Sequence, residues 1–113
     1  MSDVKVNSIE EVFDYVRKID NENRQHVTKG YKLGEIGGLD ILKKTAGELI
    51  ELTEATTKSI AKMHSSKDFI QDELGDTVSC LIHLAIRYGI GPKELAQTMV
   101  DKLELRFAGE IKK

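Results

Sequence analysis

Two pairs of acidic residues stand at spacings that place them on shared helix faces. Glu48 and Glu51 are three residues apart, as are Glu73 and Asp76, and residues three apart are neighbours on a helix surface. Like charges at this spacing repel, so a bound cation would relieve the repulsion. Two such pairs on adjacent helices would surround one gap with carboxylate oxygens, the ligands that Mg²⁺ prefers. The spacing therefore permits a magnesium site, although acidic pairs are also common on solvated helix faces.

The neighbours of these acids favour a metal site over a solvated face. Asp76 lies between Leu74 and Val78 in a strongly apolar segment. Gly47 and Gly75 each stand beside a carboxylate, and a glycine within a helix costs roughly 1 kcal/mol relative to alanine. Small residues at these two positions permit the close approach of another helix or of a ligand.

A second group of reactive side chains, Cys80 and His83, continues the helix face of Glu73 and Asp76. Zinc binding or thiol catalysis is disfavoured because no Cys-x-x-Cys pair or second ligating histidine is close in the sequence. A free cysteine is more often a small buried hydrophobe, and His83 is expected at the edge of the core. In the glycine-rich stretch 30–38, Tyr31 is a candidate for contact with a base or phosphate, but the P-loop pattern is absent. Such a stretch more commonly serves as a plain connection between helices.

Four helices are expected to position these side chains. Ser8 and Glu11 have the spacing of a capping box for the first helix, and charged residues, Asp20 among them, are expected on its solvent-facing sides. The first helix is expected from residue 9 to beyond Asn23, and the second from its N-cap Asp40 to about Met63. The third is expected from its N-cap Ser66 to Gly89, and the fourth from Pro92 to Gly109, with 110–113 fraying. No sustained period-two pattern is present, so the fold class is all-α.

Length and composition limit the classes of protein that fit. With 113 residues, the chain is expected to form one domain over 1–113. A net charge of −2 gives no long-range attraction to duplex nucleic acid or to an anionic membrane surface, and no apolar run is long enough to span a bilayer. The single cysteine and the absence of a signal-peptide pattern at the N-terminus predict a cytoplasmic, reduced protein.

The residues around the acids resemble a known pattern. The segments 46–52 (AGELIEL) and 72–78 (DELGDTV) are similar to the two motifs of the all-α nucleoside triphosphate pyrophosphohydrolases, the MazG-like superfamily. The family pattern is E-E-x-x-E, a spacer, and then E-x-x-D. The stretch 102–107 (KLELRF) resembles the basic stretch that closes many of these domains, and 8–107 fits their helical layout. The resemblance implies a four-helix MazG-like bundle that is completed by oligomerisation.

The E-x-x-D motif matches closely, but the first motif departs from the family at one ligand. Aligned on AGE, the family's two adjacent glutamates fall on Lys44 and Thr45, and the second of them is usually a metal ligand. The residues that carry over as ligands are Glu48, Glu73 and Asp76. Either Glu51 fills the fourth position, or the site holds metal with fewer charges and more water, or catalysis has decayed. Alternatively, the ammonium group of Lys44 would take the place of one metal ion as a fixed cation. Thr45→Glu is expected to strengthen metal binding, because it restores a carboxylate ligand.

As a member of this family, the protein would convert a nucleoside triphosphate and water into a nucleoside monophosphate and pyrophosphate, with Mg²⁺ or Mn²⁺ as cofactor. The expected catalytic and metal-binding residues are Glu48, Glu51, Glu73 and Asp76. Lys102 and Arg106, four apart on the last helix, are expected to hold the outgoing phosphates, although two solvated basic residues near a helix C-terminus are equally favourable. Nucleotide-pool house-cleaning is the implied role, with phosphoribosyl-ATP as a related substrate choice.

The resemblance also implies a homo-oligomer, a homodimer or a dimer of dimers, because protomers of the family associate through helices. The wide apolar stripes of four helices in so short a chain agree with this expectation. The alternative function is that of a catalytically degenerate MazG-like nucleotide-binding or helical interaction module. Pyrophosphate release with and without Mg²⁺ distinguishes the two.

Overall fold

Four α-helices make up most of the computed structural model, which describes residues 3–62 and 67–111, with side chains for 3–57 and 67–107. The helices are α1 (Ile9–Asn21), α2 (Gly38–Lys62), α3 (Lys67–Arg87) and α4 (Pro92–Ile111), and a 3₁₀ helix at Leu33–Glu35 lies between α1 and α2. The described residues contain no strand, so the prediction of an all-α fold is confirmed. Within the same ranges, no helix combines the length and the apolar character that crossing a membrane requires.

Several helix ends follow the signals expected from the sequence. The Ser8 hydroxyl accepts a hydrogen bond from the N–H of Glu11 at 3.2 Å, which satisfies one of the free donors at the start of α1. Pro92 is the first residue of α4, where its missing N–H is not needed. Gly89 follows α3 with a φ of 70°, a conformation that ends helices and that glycine adopts without strain. These three predicted signals are confirmed.

The predicted end of the first helix and start of the second are wrong. α1 ends at Asn21, because Asn23 has a φ of 53° and this left-handed conformation does not continue a helix. α2 begins at Gly38, so Asp40 lies within its first turn instead of at the N-cap. A carboxylate in the first turn still interacts favourably with the helix dipole.

The predicted end of the last helix is also wrong. α4 continues through Gly109 to Ile111, since one glycine weakens a helix without terminating it. The expected end of the second helix at Met63 and the expected Ser66 cap fall outside the described residues.

The helices α2 and α3 make the most extensive contact in the chain and run antiparallel. Their direction follows from two points of contact. The Thr77 hydroxyl reaches the carbonyl oxygen of Glu48 at 3.4 Å, and further along the pair Ala55 lines a small cleft together with Phe69. As residue numbers rise on α2, those of the facing residues on α3 therefore fall.

The small apolar core joins α1 to the second half of α3. Phe13 and Val16 from α1 pack with Ile82 and Ala85 from α3, and Leu95 at the start of α4 lies against this cluster. Within the described residues, the backbone of α4 comes close to one other helix, α1. The rest of α4 therefore extends away from the α2 and α3 pair.

This arrangement is extended for a chain of its size. The radius of gyration is 16.6 Å, whereas a compact domain of this length has roughly 13 Å. Large apolar side chains remain exposed on α4, namely Met99, Val100, Leu103, Leu105 and Phe107. Apolar side chains are also exposed on α2 and α3, Leu39 and Ile50 among them, so a single protomer leaves apolar surface uncovered on several helices.

Candidate metal centre

Three of the four predicted acids come together where α2 faces α3. Glu48, Glu73 and Asp76 each offer a carboxylate oxygen, and these three oxygens lie within 4.8 Å of one another. The spacing of three residues places Glu73 and Asp76 on one face of α3, and the antiparallel contact brings that face to Glu48. The described residues contain this one group of three or more histidine, cysteine or acidic side chains at such distances.

Thr77 sets the register that brings the acids together. Its side chain is buried, and its hydroxyl lies 2.9 Å from the carbonyl oxygen of Glu73 and 3.4 Å from that of Glu48. A hydroxyl donates one proton, so it is shared between a bond within α3 and a weaker one across to α2. The backbone at both glutamates is therefore tied to the same buried side chain.

Two carboxylate oxygens of the group are buried without compensation. Glu48 Oε2 and Glu73 Oε2 have no hydrogen-bond partner among the described residues. Burial raises the pKa of Glu48 above its ordinary value, and the charges of Glu51 and Asp76 raise it further. The pKa of Glu73 is raised first by burial and then by the charges of Glu51, Asp76 and Asp72. A bound cation would remove both penalties, because it pairs with the buried oxygens and offsets the mutual repulsion.

Glu51, the fourth predicted acid, lies at the edge of this group. Its side chain is exposed, yet its charge acts on both Glu48 and Glu73. With Glu73 it lines a small cleft between α2 and α3. Its carboxylate is thus close enough to influence the centre while remaining open to solvent.

Thr45 does not offer its hydroxyl to the acids. The residue is 3% exposed, and its Oγ1 donates to the carbonyl oxygen of Ile41 at 2.8 Å, one turn back in α2. Lys44, the residue before Thr45, lies on a different face of α2 and lines a cleft with Glu48 and Asp76. The position where the family usually has a ligand is therefore turned into the packed side of α2, and an amine stands beside the acids.

Gly47 and Gly75 border open space. Apart from the chain neighbours and the backbone of its own helix, a Cβ atom built at either position would meet no heavy atom of the described residues within 4 Å. The expectation that these glycines bring two helices close together is therefore wrong for this chain. The other expectation, room for a ligand beside the acids, fits the open space.

A cleft of about 210 Å³ opens on one side of Glu48 and Asp76. It lies between α1, the connection that precedes α2, and the α2 and α3 pair. Its lining residues are Val16, Ile19, His26, Lys29, Tyr31, Leu33, Lys44, Glu48, Asp76, Ser79, Cys80 and His83. The glycine-rich connection thus forms a wall of the cleft that contains two of the acids.

Arg87 at the end of α3 holds this connection in place. Its guanidinium donates to both carboxylate oxygens of Asp20, at 2.9 and 3.2 Å, and to the carbonyl oxygens of Leu33 and Ile36. His83 adds a contact of 2.8 Å between its Nε2 and Asp20 Oδ1. Hydrogen bonds from Arg87 are the largest cause that lowers the pKa of Asp20. These hydrogen bonds therefore hold together the end of α1, the connection before α2 and the end of α3 beside the cleft.

No pattern in the sequence indicates this network. The Asp20 side chain is 13% exposed, so the expectation that it lies on a solvent-facing side of the first helix is wrong. Its partners stand 63 and 67 residues away in the chain, and spacing within one helix carries no information about them. The network is found only when α1 is packed on α3.

Cys80 and His83 lie in the same cleft without forming a metal pair. The Nε2 atom of His83 is engaged with Asp20, and the residue is buried beside the core, as predicted. Burial raises the pKa of the Cys80 thiol, which disfavours the reactive thiolate at neutral pH. Neither zinc binding nor thiol catalysis gains support from this geometry.

Lys102 and Arg106 are not brought to the acids within one protomer. Both side chains are exposed on α4, and neither lines the cleft beside Glu48 or the smaller one beside Glu51. Among the described residues, the helix-to-helix backbone contacts of α4 are with α1, so these two basic residues do not lie at the acid cluster of their own protomer.

Comparisons with family models, with curated proteins and with solved structures give no match for this chain. The resemblance to MazG-like domains therefore depends on the motif residues themselves. What defines the centre physically is an all-α scaffold that holds three carboxylates, two of them with buried and unpaired oxygens.

Proposed function

We propose that this protein is a Mg²⁺-dependent nucleoside triphosphate pyrophosphohydrolase with a MazG-like bundle. One observation carries the proposal: Glu48 Oε2 and Glu73 Oε2 are buried without partners in a group with Asp76. Buried carboxylates persist in proteins when they are paired, hydrogen-bonded, bound to a metal or neutralised by a proton. The first two are not found for these atoms among the described residues, and the grouping of three carboxylate oxygens within 4.8 Å supports a bound metal.

The donor set favours a hard cation. All three ligands are carboxylates, and Mg²⁺ and Mn²⁺ bind oxygen donors in preference to sulfur or imidazole nitrogen. Glu48, Glu73 and Asp76 would hold the ion, with Glu51 as an outer carboxylate. Bound there, the ion would neutralise charge on the phosphates and lower the pKa of a coordinated water.

The reaction is attack of a water oxygen on the α-phosphorus of the nucleotide. The bond from the α-phosphorus to the bridging oxygen breaks, and pyrophosphate and a nucleoside monophosphate are the products. Glu51 is suited to orient the water and accept its proton, because it stands beside the group and is exposed. Removal of non-standard nucleotides from the nucleotide pool is the proposed cellular role.

A second copy of the chain completes the bundle in this proposal. Met99, Leu103 and Phe107 leave apolar surface exposed on α4, which a homodimer or a dimer of dimers would cover. Lys102 and Arg106 on the same helix would then reach the phosphates at the acid cluster of the neighbouring protomer. Sedimentation at micromolar concentration is expected to show a dimer or tetramer, and a monomer of 12.7 kDa would contradict this assembly.

The decisive test is pyrophosphate release from a panel of nucleoside triphosphates, in Mg²⁺ and in EDTA. We expect hydrolysis only with Mg²⁺ or Mn²⁺, and we expect Glu73→Gln to abolish it because a ligand is lost. Asp68→Asn is the matched control, since Asp68 is an exposed acid on the same helix that lines neither cleft.

The inward orientation of Thr45 favours a second candidate, a catalytically degenerate nucleotide-binding or helical interaction module. Its hydroxyl is bonded to Ile41, so the centre has no ligand from that position. Failure of every nucleotide in the panel to yield pyrophosphate, with metal bound, would favour this second function over hydrolysis.

A further inference from the structure

Two lysines line the cleft that contains Glu48 and Asp76 of the acid cluster. Lys29 comes from the connection before α2, Lys44 comes from α2 itself, and both line the cleft with Glu48 and Asp76. Neither amine lies within 4.0 Å of a carboxylate oxygen in the described parts of the chain. The cleft thus contains two ammonium groups and two carboxylates that do not pair by direct contact.

The position of Lys44 is set by an aromatic ring. Its Nζ lies 4.0 Å from the centre of the Tyr31 ring, a distance at which a cation is attracted to an aromatic face. Lys44 and Glu48 are four residues apart on one helix, a spacing that allows an ion pair, yet the pair is not formed. The ammonium group is therefore held toward the connection and away from the carboxylate.

The connection that carries Lys29 and Tyr31 is ordered by local hydrogen bonds. His26 Nδ1 accepts from the N–H groups of Thr28 and Lys29 at 3.2 and 3.1 Å. The N–H of His26 donates to the carbonyl oxygen of Tyr31 at 2.7 Å, and the two rings lie 4.9 Å apart. The second lysine thus emerges from a formed turn beside the ring that holds the first.

The electrostatics of the lysines indicate room for an anion. Burial is the main cause that lowers the pKa of Lys44, and the charge of Lys29 lowers it further, against opposing effects of Cys80 and Glu48. An anion between the two ammonium groups would offset both of these penalties, and several charge-assisted hydrogen bonds would become available to it.

We propose that Lys29 and Lys44 form a phosphate-binding subsite for a polyphosphate chain that also faces the acid cluster. The identity of this anion as the triphosphate of a nucleotide rests on the proposed function. The chain of phosphates lies in this cleft within reach of both lysines, with Tyr31 as the positioning residue for Lys44. This subsite belongs to a single protomer, unlike the basic pair on α4.

The test is calorimetric titration of inorganic tripolyphosphate into the whole protein, in Mg²⁺ and separately in EDTA. We expect Lys44→Met and Lys29→Met each to weaken binding about tenfold, the effect of losing one charged hydrogen-bond partner. Lys43→Met and Lys32→Met are matched controls, because both lysines are exposed and outside the cleft. Tyr31→Phe should bind as the wild type does, whereas Tyr31→Leu should bind more weakly, since only the ring face is needed. Circular dichroism confirms that each variant is folded.

Two results overturn the subsite. One is a wild type that binds no tripolyphosphate in either buffer, and the other is unchanged binding by both Lys44→Met and Lys29→Met. Tripolyphosphate binding that depends on these lysines, in a protein that hydrolyses no nucleotide, would support the subsite and reject the proposed function. Failure of the subsite and failure of the enzyme are therefore observed separately.

Discussion

Glu48→Gln is expected to stabilise the metal-free protein and to remove its response to magnesium. The carboxylate it replaces has a buried oxygen without a partner, and burial and two neighbouring acids raise its pKa. A glutamine of the same shape has no charge to desolvate, and its amide group can donate to Asp76 or Glu51. The variant therefore loses the repulsion and keeps the packing.

The size of the effect follows from the surroundings of Glu48. A buried and unsatisfied polar group costs about 1 to 3 kcal/mol, more if it is charged, but this side chain is only partly buried and the charge of Lys29 offsets part of the penalty. We therefore expect a gain of about 1 kcal/mol in EDTA. In the wild type, Mg²⁺ at roughly 100 times its Kd adds about 2.7 kcal/mol, so the order of stability reverses when the metal is present.

Urea unfolding in EDTA and in MgCl₂, at matched ionic strength, measures this reversal. Asp68→Asn serves as the control, because it removes one exposed charge from α3 and leaves the acid group intact. A Glu48→Gln variant that is less stable than the wild type in EDTA would refute the idea of an uncompensated carboxylate. A variant that gains as much from Mg²⁺ as the wild type would refute the placement of the ion.

Three further predictions concern the same scaffold. Because the pKa values of Glu48 and Glu73 are raised, the folded protein binds protons more readily than the unfolded chain. In EDTA, the urea midpoint of unfolding should therefore fall as the pH rises above the ordinary pKa of glutamate, and this fall should be smaller in Glu48→Gln. Arg87→Ala should lower the free energy of unfolding by about 3 kcal/mol, measured in urea, because Asp20 loses its main partner in a largely buried position; Arg106→Ala, at an exposed site, should change it little. Lys44→Glu should strengthen Mg²⁺ binding in calorimetry. Thr45→Glu, which the sequence alone predicts to strengthen it, should mainly destabilise the fold because position 45 is 3% exposed. Tighter Mg²⁺ binding by Thr45→Glu alone would contradict this orientation.

The acid group was predictable from the sequence because its information is local. A spacing of three residues places two carboxylates on one helix face, and the two pairs sit on helices that are consecutive in the chain. The Arg87 network was not predictable, because its partner Asp20 is 67 residues away and is charged, which favours an exposed position. The orientations of Lys44 and Thr45 were also hidden, since adjacent helix residues differ by about 100° and only tertiary packing decides which one faces the core.

These two adjacent positions determine how the centre would work. Thr45 is turned into the packed side of α2 and Lys44 into the cleft, so the group has three close carboxylates and an amine where the family usually has further acids. Three carboxylates leave several coordination positions of an octahedral Mg²⁺ to other oxygens, and Mg²⁺ is commonly bound by a few carboxylates together with substrate phosphates. On the proposed function, the nucleotide would therefore bring the missing ligands with its own phosphates, and Lys44 would bind those phosphates within the same cleft. The apparent loss of a ligand then shifts metal binding toward the complex with substrate, and does not by itself imply that catalysis has decayed.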